Sequence, residues 1–125
     1  MLQFEENRLK LLNMKADLVD LADALDLKGI KEQIKELEEQ STSPDFWDDM
    51  AASQKILQKI KQQKDKVDNY NSLMQNYEDT LTLIELAIEE ADESLLSEVE
   101  TNVDSIIKEL ERNEKPDWQQ YPGEL

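Results

Sequence analysis

One apolar stripe constrains this chain more than any other feature, because it keeps a helical period from Ile56 to Ile88 without a helix breaker. Apolar side chains recur there at alternating steps of four and three residues, and only Gln63 interrupts them. Such spacing is typical of a helix that packs through one narrow face. The pattern predicts a long helix from about residue 48 to residue 90, roughly 65 Å in length. The stripe comprises Ile56, Ile60, Val67, Tyr70, Met74, Tyr77, Leu81, Ile84 and Ile88.

Three shorter stripes with the same spacing predict three shorter helices. The 125 residues include only 2 Gly and 3 Pro, so little in the composition opposes helix formation. The first stripe comprises Leu11, Met14, Leu18, Leu21 and Leu25. The second comprises Leu27, Ile30, Ile34 and Leu37. The last comprises Leu96, Val99, Val103, Ile106 and Leu110.

The breaks between these stripes carry helix-capping and helix-ending residues. Asp26 is suited to cap the second helix, although Gly29 weakens its first turn. Pro44 ends the second helix, because proline disfavours the helical conformation of the residue before it. Asp48 is predicted to cap the long helix, and Asp92 to cap the last one after a turn at residues 91–92.

These elements predict an all-α fold, an elongated antiparallel helical bundle or coiled coil with one long central helix and three shorter helices. We expect the fourth helix to fold back along the C-terminal half of the long helix, and the first two to form a hairpin over its N-terminal half. Stripes that pair within one chain predict a monomer. If the long stripe pairs between chains instead, the protein is a generic coiled-coil adaptor that acts through protein–protein contacts.

Charge and composition exclude several classes of function. The net charge of −16 opposes strong direct binding to nucleic acid or to an anionic membrane. The absence of Cys and His removes thiol nucleophiles, imidazole bases and the usual zinc ligands, so we expect no catalytic, cofactor or metal site. No apolar run is long enough for a membrane span and the N-terminus does not resemble a signal peptide, so a cytoplasmic location is expected.

A cluster of five lysines on the first half of the long helix is the one basic feature. Lys55, Lys59 and Lys66 share a face, and this makes them a weak candidate for contact with an RNA backbone. The plainer interpretation is a solvated face with ion pairs inside the chain. No aromatic side chain is interleaved to stack on bases, which favours that plainer interpretation.

The stretch SPDFWDD, residues 43–49, concentrates aromatic residues in a chain poor in them. We interpret Pro44, Phe46, Trp47 and Asp48 as a structural corner, in which the helix stop at Pro44 is followed by two buried rings and a helix cap. If the indole of Trp47 is buried there, its truncation to alanine costs about 3–5 kcal/mol.

The order of these features resembles the N-terminal domain of bacterial type 2 peptide chain release factors. The resemblance rests on three segments: Leu25-Asp26, the corner Pro44-Asp45-Phe46-Trp47, and the leucine-rich residues 83–90 before the acidic turn. It covers about residues 5–111. The related type 1 factors usually lack the proline-to-tryptophan corner, so the corner favours type 2.

The resemblance implies a non-catalytic part of a translation termination factor. Type 2 factors read stop codons with a Ser-Pro-Phe tripeptide and release the peptide with a Gly-Gly-Gln motif. Neither motif is present, because Asp45 separates Pro44 from Phe46 and the only glycines are Gly29 and Gly123. The implied role is to position the factor on the ribosome through proteins at the stalk base, and the chain is then most simply one domain of a longer factor.

The sequence after residue 111 departs from the family pattern. The predicted helical domain is residues 1–111, and residues 112–125 are interpreted as a divergent or artificially introduced tail. This tail carries Pro116, Trp118 and Tyr121, which are also suited to strap the tail back onto the bundle.

Overall fold

The computed structural model describes residues 2–114, and these residues form four α-helices joined by the single residue 26, residues 42–49 and residues 91–95. Helix α1 spans Leu2–Leu25, α2 spans Leu27–Ser41, α3 spans Met50–Glu90 and α4 spans Leu96–Glu114. Short 3₁₀ turns at Phe46–Asp48 and Glu93–Leu95 precede α3 and α4. Residues 2–114 contain no strand. The predicted all-α bundle with one long helix and three shorter helices is therefore confirmed.

Helix α3 has 41 residues, which corresponds to about 62 Å. It starts two residues after the predicted position and ends at the predicted one. The described residues divide into two compact units, residues 22–72 and residues 2–21 with 73–114, and α3 contributes to both of them.

The larger unit buries one heptad-spaced face from each of its three helical segments. The core residues of α1 begin with Phe4, which is almost completely buried, and continue with the predicted Leu11, Met14, Leu18 and Leu21. Helix α4 supplies Val99, Val103, Ile106 and Leu110, also as predicted. Helix α3 supplies Leu73, Tyr77, Thr80, Ile84 and Ala87.

The buried face of α3 in this unit is centred one residue earlier than the sequence pattern predicts. Met74, Leu81 and Ile88 are only partly buried, whereas Leu73, Thr80 and Ala87 are buried. The apolar pattern missed this shift because Thr80 and Ala87 are small or polar and contribute little to an apolar count.

The smaller unit is an antiparallel pair made by α2 and the first half of α3. Glu38, in the second half of α2, lies beside the middle of this part of α3, since Lys64 Nζ is 3.1 Å from Glu38 Oε2. Next to this pair, the amide of Gln63 donates a hydrogen bond to Gln33 Oε1. Burial and the nearby carboxylate of Asp23 raise the pKa of Tyr70, so a later residue of α3 lies near a residue that precedes α2, as an antiparallel pair requires. Its apolar core is thin, with Ile30 and Ile60, 8% and 9% exposed, as the buried apolar side chains among the described residues of this unit.

The predicted hairpin of α1 and α2 is wrong, because residues 2–21 of α1 belong to the larger unit and α2 belongs to the smaller one. The physical reason is the connection between them, which is the single residue Asp26. A helical hairpin needs a loop of about 2–5 residues to reverse the chain. Asp26 takes a left-handed conformation, with φ 53°, and caps α2 by accepting a hydrogen bond from Gly29 N at 3.3 Å, as predicted.

Gly29 has a positive role at this cap. A Cβ atom at residue 29 would approach Asp26 Cγ to 2.8 Å, so the missing side chain leaves room for the capping carboxylate. The glycine that weakens the first turn of α2 thus also permits its cap.

The last turn is also close to prediction. Ala91 has φ 52° and reverses the chain after α3, and the carboxylate of Asp92 accepts a hydrogen bond from Ser94 N at 3.1 Å. Asp92 therefore caps the 3₁₀ turn that leads into α4, one step before the helix that it was predicted to cap. Helix α4 runs on to Glu114, and the predicted tail residues Pro116, Trp118 and Tyr121 lie outside the described residues.

Candidate functional site: the corner before the long helix

The corner begins where hydroxyl groups close the end of α2. Ser41 Oγ donates to the carbonyl oxygen of Glu38 at 2.6 Å, and Thr42 Oγ1 donates to that of Glu39 at 2.7 Å. Carbonyl groups in the last turn of a helix lack partners within the helix, and these hydroxyls supply them. The helix therefore ends at Ser41, shortly before Pro44, as the sequence predicts.

The middle of the corner is a tight turn held by short-range hydrogen bonds. The hydroxyl of Ser43 donates to the carboxylate of Asp45, and this bond lowers the pKa of the exposed Asp45 carboxyl. Phe46 N donates to Ser43 O at 3.0 Å, and Asp48 N donates to Asp45 O at 3.1 Å. These bonds set the 3₁₀ turn at Phe46–Asp48.

Ser53 fastens this turn to the first turn of α3, and sequence reasoning missed it. Its side chain is 1% exposed, and its hydroxyl bonds to the carbonyl oxygen of Phe46 and lies 2.8 Å from that of Asp49. A serine within a helix gives no apolar signal. One indication was present in the sequence: Ser53 lies three residues before Ile56, so it continues the apolar stripe of α3 towards the N-terminus.

The structure contradicts the prediction that Trp47 is a buried plug. Its side chain is 55% exposed, and Phe46 is only half-buried. The two rings contact each other edge to face, with centroids 4.9 Å apart. The physical reason is local: the unit that contains the corner has a thin apolar core, which offers little apolar surface to cover both rings.

Asp48 was also predicted to cap the long helix, and the structure assigns that role to Asp49. Asp49 has an extended backbone, with φ −115° and ψ 98°, and its carboxylate accepts a hydrogen bond from Ala52 N at 3.1 Å. Asp48 lies inside the 3₁₀ turn, which separates it from the first turn of α3 by one residue. Capping requires the extended backbone that Asp49 has.

An exposed apolar patch results at the start of α3. Trp47, Met50 and Leu57 are 55%, 56% and 40% exposed, and all three are large apolar side chains. Met50 and Leu57 are seven residues apart and therefore share one face of α3, and Trp47 lies in the turn just before that helix. We call these three residues the corner patch.

The lysines of α3 divide into two groups. Lys61 forms an ion pair with Asp65 at 3.2 Å, and Lys64 forms the pair with Glu38. Lys55, Lys59 and Lys66 are exposed and take part in no ion pair within residues 2–114. The structure therefore leaves these three candidate residues accessible, and their contact with RNA stays a prediction.

Gln63 explains the interruption in the stripe of α3. The residue is 5% exposed and its amide group donates to Gln33 on α2, so a polar pair occupies a core position. Its own side-chain oxygen has no hydrogen-bond partner among the described residues. An unpaired buried oxygen costs stability, so this pair restricts the packing of the smaller unit more than it strengthens it.

Across residues 2–114, no group of three or more acidic side chains has the arrangement of a metal site. None of the helices in this part of the chain has the length and apolar character that crossing a membrane requires. The fold and the corner together define a class: an all-α domain built on one long helix, with an exposed patch at the point where that helix begins.

The sequence matches the PCRF domain family over residues 30–118, which begins within α2 and includes the corner, α3 and α4. It is similar to peptide chain release factor 2 of Clostridium perfringens strain SM101, with 35% identity over 107 residues, 85% of this chain and 29% of that protein. It is 34% identical over 105 residues to the Corynebacterium aurimucosum protein of the same name, covering 84% of this chain and 27% of that protein. For the Pseudarthrobacter chlorophenolicus protein the identity is 30% over 101 residues, 81% of this chain and 27% of that protein.

The chain therefore belongs to the PCRF domain family, as the N-terminal domain of a class I peptide chain release factor. The resemblance inferred from the sequence is confirmed. The chain spans less than a third of the length of the curated relatives it matches. The match continues to residue 118, so the boundary predicted at residue 111 stays a prediction.

Proposed function

We propose that this domain is a non-catalytic part of a translation termination factor and helps to position the factor on the ribosome. The observation that carries the proposal is the family match over residues 30–118. The domain would act in the cytoplasm, where translation termination takes place. Peptide release would belong to other parts of the factor, since this sequence has no Gly-Gly pair.

The proposed mode of binding is protein–protein contact at the stalk base of the ribosome. The net charge of −16 supports a basic protein partner, because it disfavours direct contact with the RNA backbone. The corner patch supports the same mode, since an exposed tryptophan next to apolar side chains is typical of an interface anchor. The lysine face of Lys55, Lys59 and Lys66 is a secondary candidate for RNA contact beside it.

Ribosome binding by corner variants tests this mode. Trp47→Ala is expected to weaken binding of the chain to ribosomes by about tenfold, as loss of an anchor residue does. Leu86→Ala is the matched control, because Leu86 is 46% exposed on the same helix but in the other unit. Equal binding by the two variants would rule out the corner patch as the contact.

A further inference from the structure

Helix α1 carries a second apolar stripe that the core does not use. Leu2, Leu9, Leu12 and Val19 are 72%, 58%, 45% and 49% exposed, and Ala16 between them is exposed as well. At 100° per residue, these five side chains centre roughly 160° around the helix from the buried face that includes Leu11 and Leu18. We call them the back stripe.

The back stripe has coiled-coil spacing. Residues 2, 9 and 16 recur every seventh position, and residues 12 and 19 take the second apolar position of the same heptads. Glu5 takes the remaining position, where Arg8 Nη1 lies 3.6 Å from its carboxylate. A stripe of this kind packs best against another helix with the same apolar spacing, and the same stripe on a second copy of the chain has that spacing.

The charges beside the stripe select the direction of such pairing. Arg8 and Lys15 flank one side, whereas Glu6 and Asp20 flank the other. In a parallel pair, the residue at position 15 of one helix faces position 20 of its partner, so Lys15 meets Asp20 twice in a symmetric dimer. In an antiparallel pair that aligns the two stripes over their full length, Arg8 would face Lys15 of the other copy twice, which is repulsive, and Glu6 would face the uncharged Asn13. Within residues 2–114, Lys15 and Asp20 are in no other ion pair.

We infer that the back stripe of α1 is a self-association surface, which pairs two copies of this chain through a parallel coiled coil. The inference departs from the predicted monomer, which assumed that every apolar stripe is used within one chain. Less than three heptads take part, and each copy carries a net charge of −16, so the dimer is expected to be weak and to strengthen as salt screens the repulsion. It does not depend on ribosome binding.

Sedimentation equilibrium of the whole chain, at protein concentrations up to about 1 mM, tests the inference. The mass is expected to rise from 14.6 kDa towards twice that value. The double variant Leu9→Gln/Leu12→Gln is expected to stay monomeric, whereas Leu86→Gln, at a similarly exposed leucine on α3, associates as the parent chain does. Far-UV circular dichroism checks that each variant is folded.

Charge exchange and cross-linking then test the register. Lys15→Asp and Asp20→Lys are each expected to weaken association about threefold or more, and their combination to restore it, because the exchange re-forms both pairs. The chain has no cysteine, so Ala16→Cys places a single thiol where a parallel pair brings two together, and oxidation should yield a disulfide dimer. A monomer at every concentration and salt level, or association unaffected by Leu9→Gln/Leu12→Gln, would overturn the inference. So would failure of the charge exchange to restore association.

Discussion

At the scale of single residues, the exposure of Phe46 and Trp47 determines whether the corner is part of the core or a contact surface. Phe46 and Trp47 stand out in the sequence, and the pattern alone predicts two buried rings. The structure leaves more than half of Trp47 in solvent. The sequence could locate the corner, because Pro44 and the aspartates mark helix ends, but it could not show how many helices would cover it.

Truncation of Trp47 is therefore expected to have little effect on folding. Trp47→Ala should lower the free energy of unfolding by less than about 1 kcal/mol, because an exposed ring loses few contacts. Urea unfolding followed by circular dichroism measures it, with the half-buried Phe46→Ala as a larger reference. A loss above about 3 kcal/mol would show that the indole of Trp47 is buried, as the sequence pattern predicts.

Ser53 should matter more for stability than its small size suggests. Ser53→Ala removes the hydroxyl that bonds to the Phe46 carbonyl and leaves that part-buried group without its partner. We expect a cost of about 1–2 kcal/mol in urea unfolding. Ser72→Ala, at an exposed position of the same helix, is the matched control and should be nearly neutral. An equal effect of both variants would show that the hydroxyl bond contributes nothing.

The buried hydroxyl of Tyr77 is expected to make the stability of the protein depend on pH. Its oxygen has no hydrogen-bond partner among the described residues, and burial raises the pKa of Tyr77 above 10. Tyr77 therefore ionises at a lower pH in the unfolded state than in the folded state. Its contribution to the free energy of unfolding is intact below about pH 10 and is lost as the pH rises towards the pKa of Tyr77 in the folded state.

Tyr77→Phe is expected to flatten the fall in stability above pH 10 and to leave stability at pH 7 unchanged or slightly higher. Unfolding in urea at pH 7, 9 and 11 measures both effects (the pH values bracket about 10, the usual tyrosine pKa). Parallel pH profiles for the variant and the parent chain would show that Tyr77 does not contribute.

At the scale of helices, the spacing of apolar residues was sufficient to predict the elements and most of their buried faces. Leu11, Leu18, Val103 and Ile106 lie in the core as the steps of three and four indicate. Ser53, Gln63 and Thr80 also lie in buried positions, and their polar side chains hid them from an apolar pattern. Whether a polar side chain is buried at such a position depends on hydrogen bonds that form only when the helices have packed.

The cap of α3 is a clear test at this scale, because two adjacent aspartates compete for one role. Asp49→Ala should cost about 1 kcal/mol in thermal or urea unfolding, since it removes the bond from Ala52 N. Asp48→Ala should cost less than about 0.5 kcal/mol, since only its charge near the helix start is lost. A larger loss of stability for Asp48→Ala than for Asp49→Ala would show that Asp48 caps the helix.

At the scale of the whole molecule, the sequence predicted the fold class and the family but not which helices pack together. The single-residue link at Asp26 was visible, yet both helices beside it were assigned to one hairpin. The segments of α1, α3 and α4 in the larger unit share a three-helix core, whereas the smaller unit has a thin two-helix one. We therefore expect the smaller unit to exchange its backbone amide protons faster, as hydrogen exchange would show.

The proposed function is tested most directly by adding the purified chain to ribosomes stalled at a stop codon with a labelled peptidyl-tRNA. Bound chain and released peptide are measured in the same samples, on complete ribosomes and on ribosomes depleted of stalk-base proteins. We expect the chain to bind to complete ribosomes, to bind more weakly after depletion, and to release no peptide from either. Release of peptide by this chain, or binding that does not change on depletion, would contradict it.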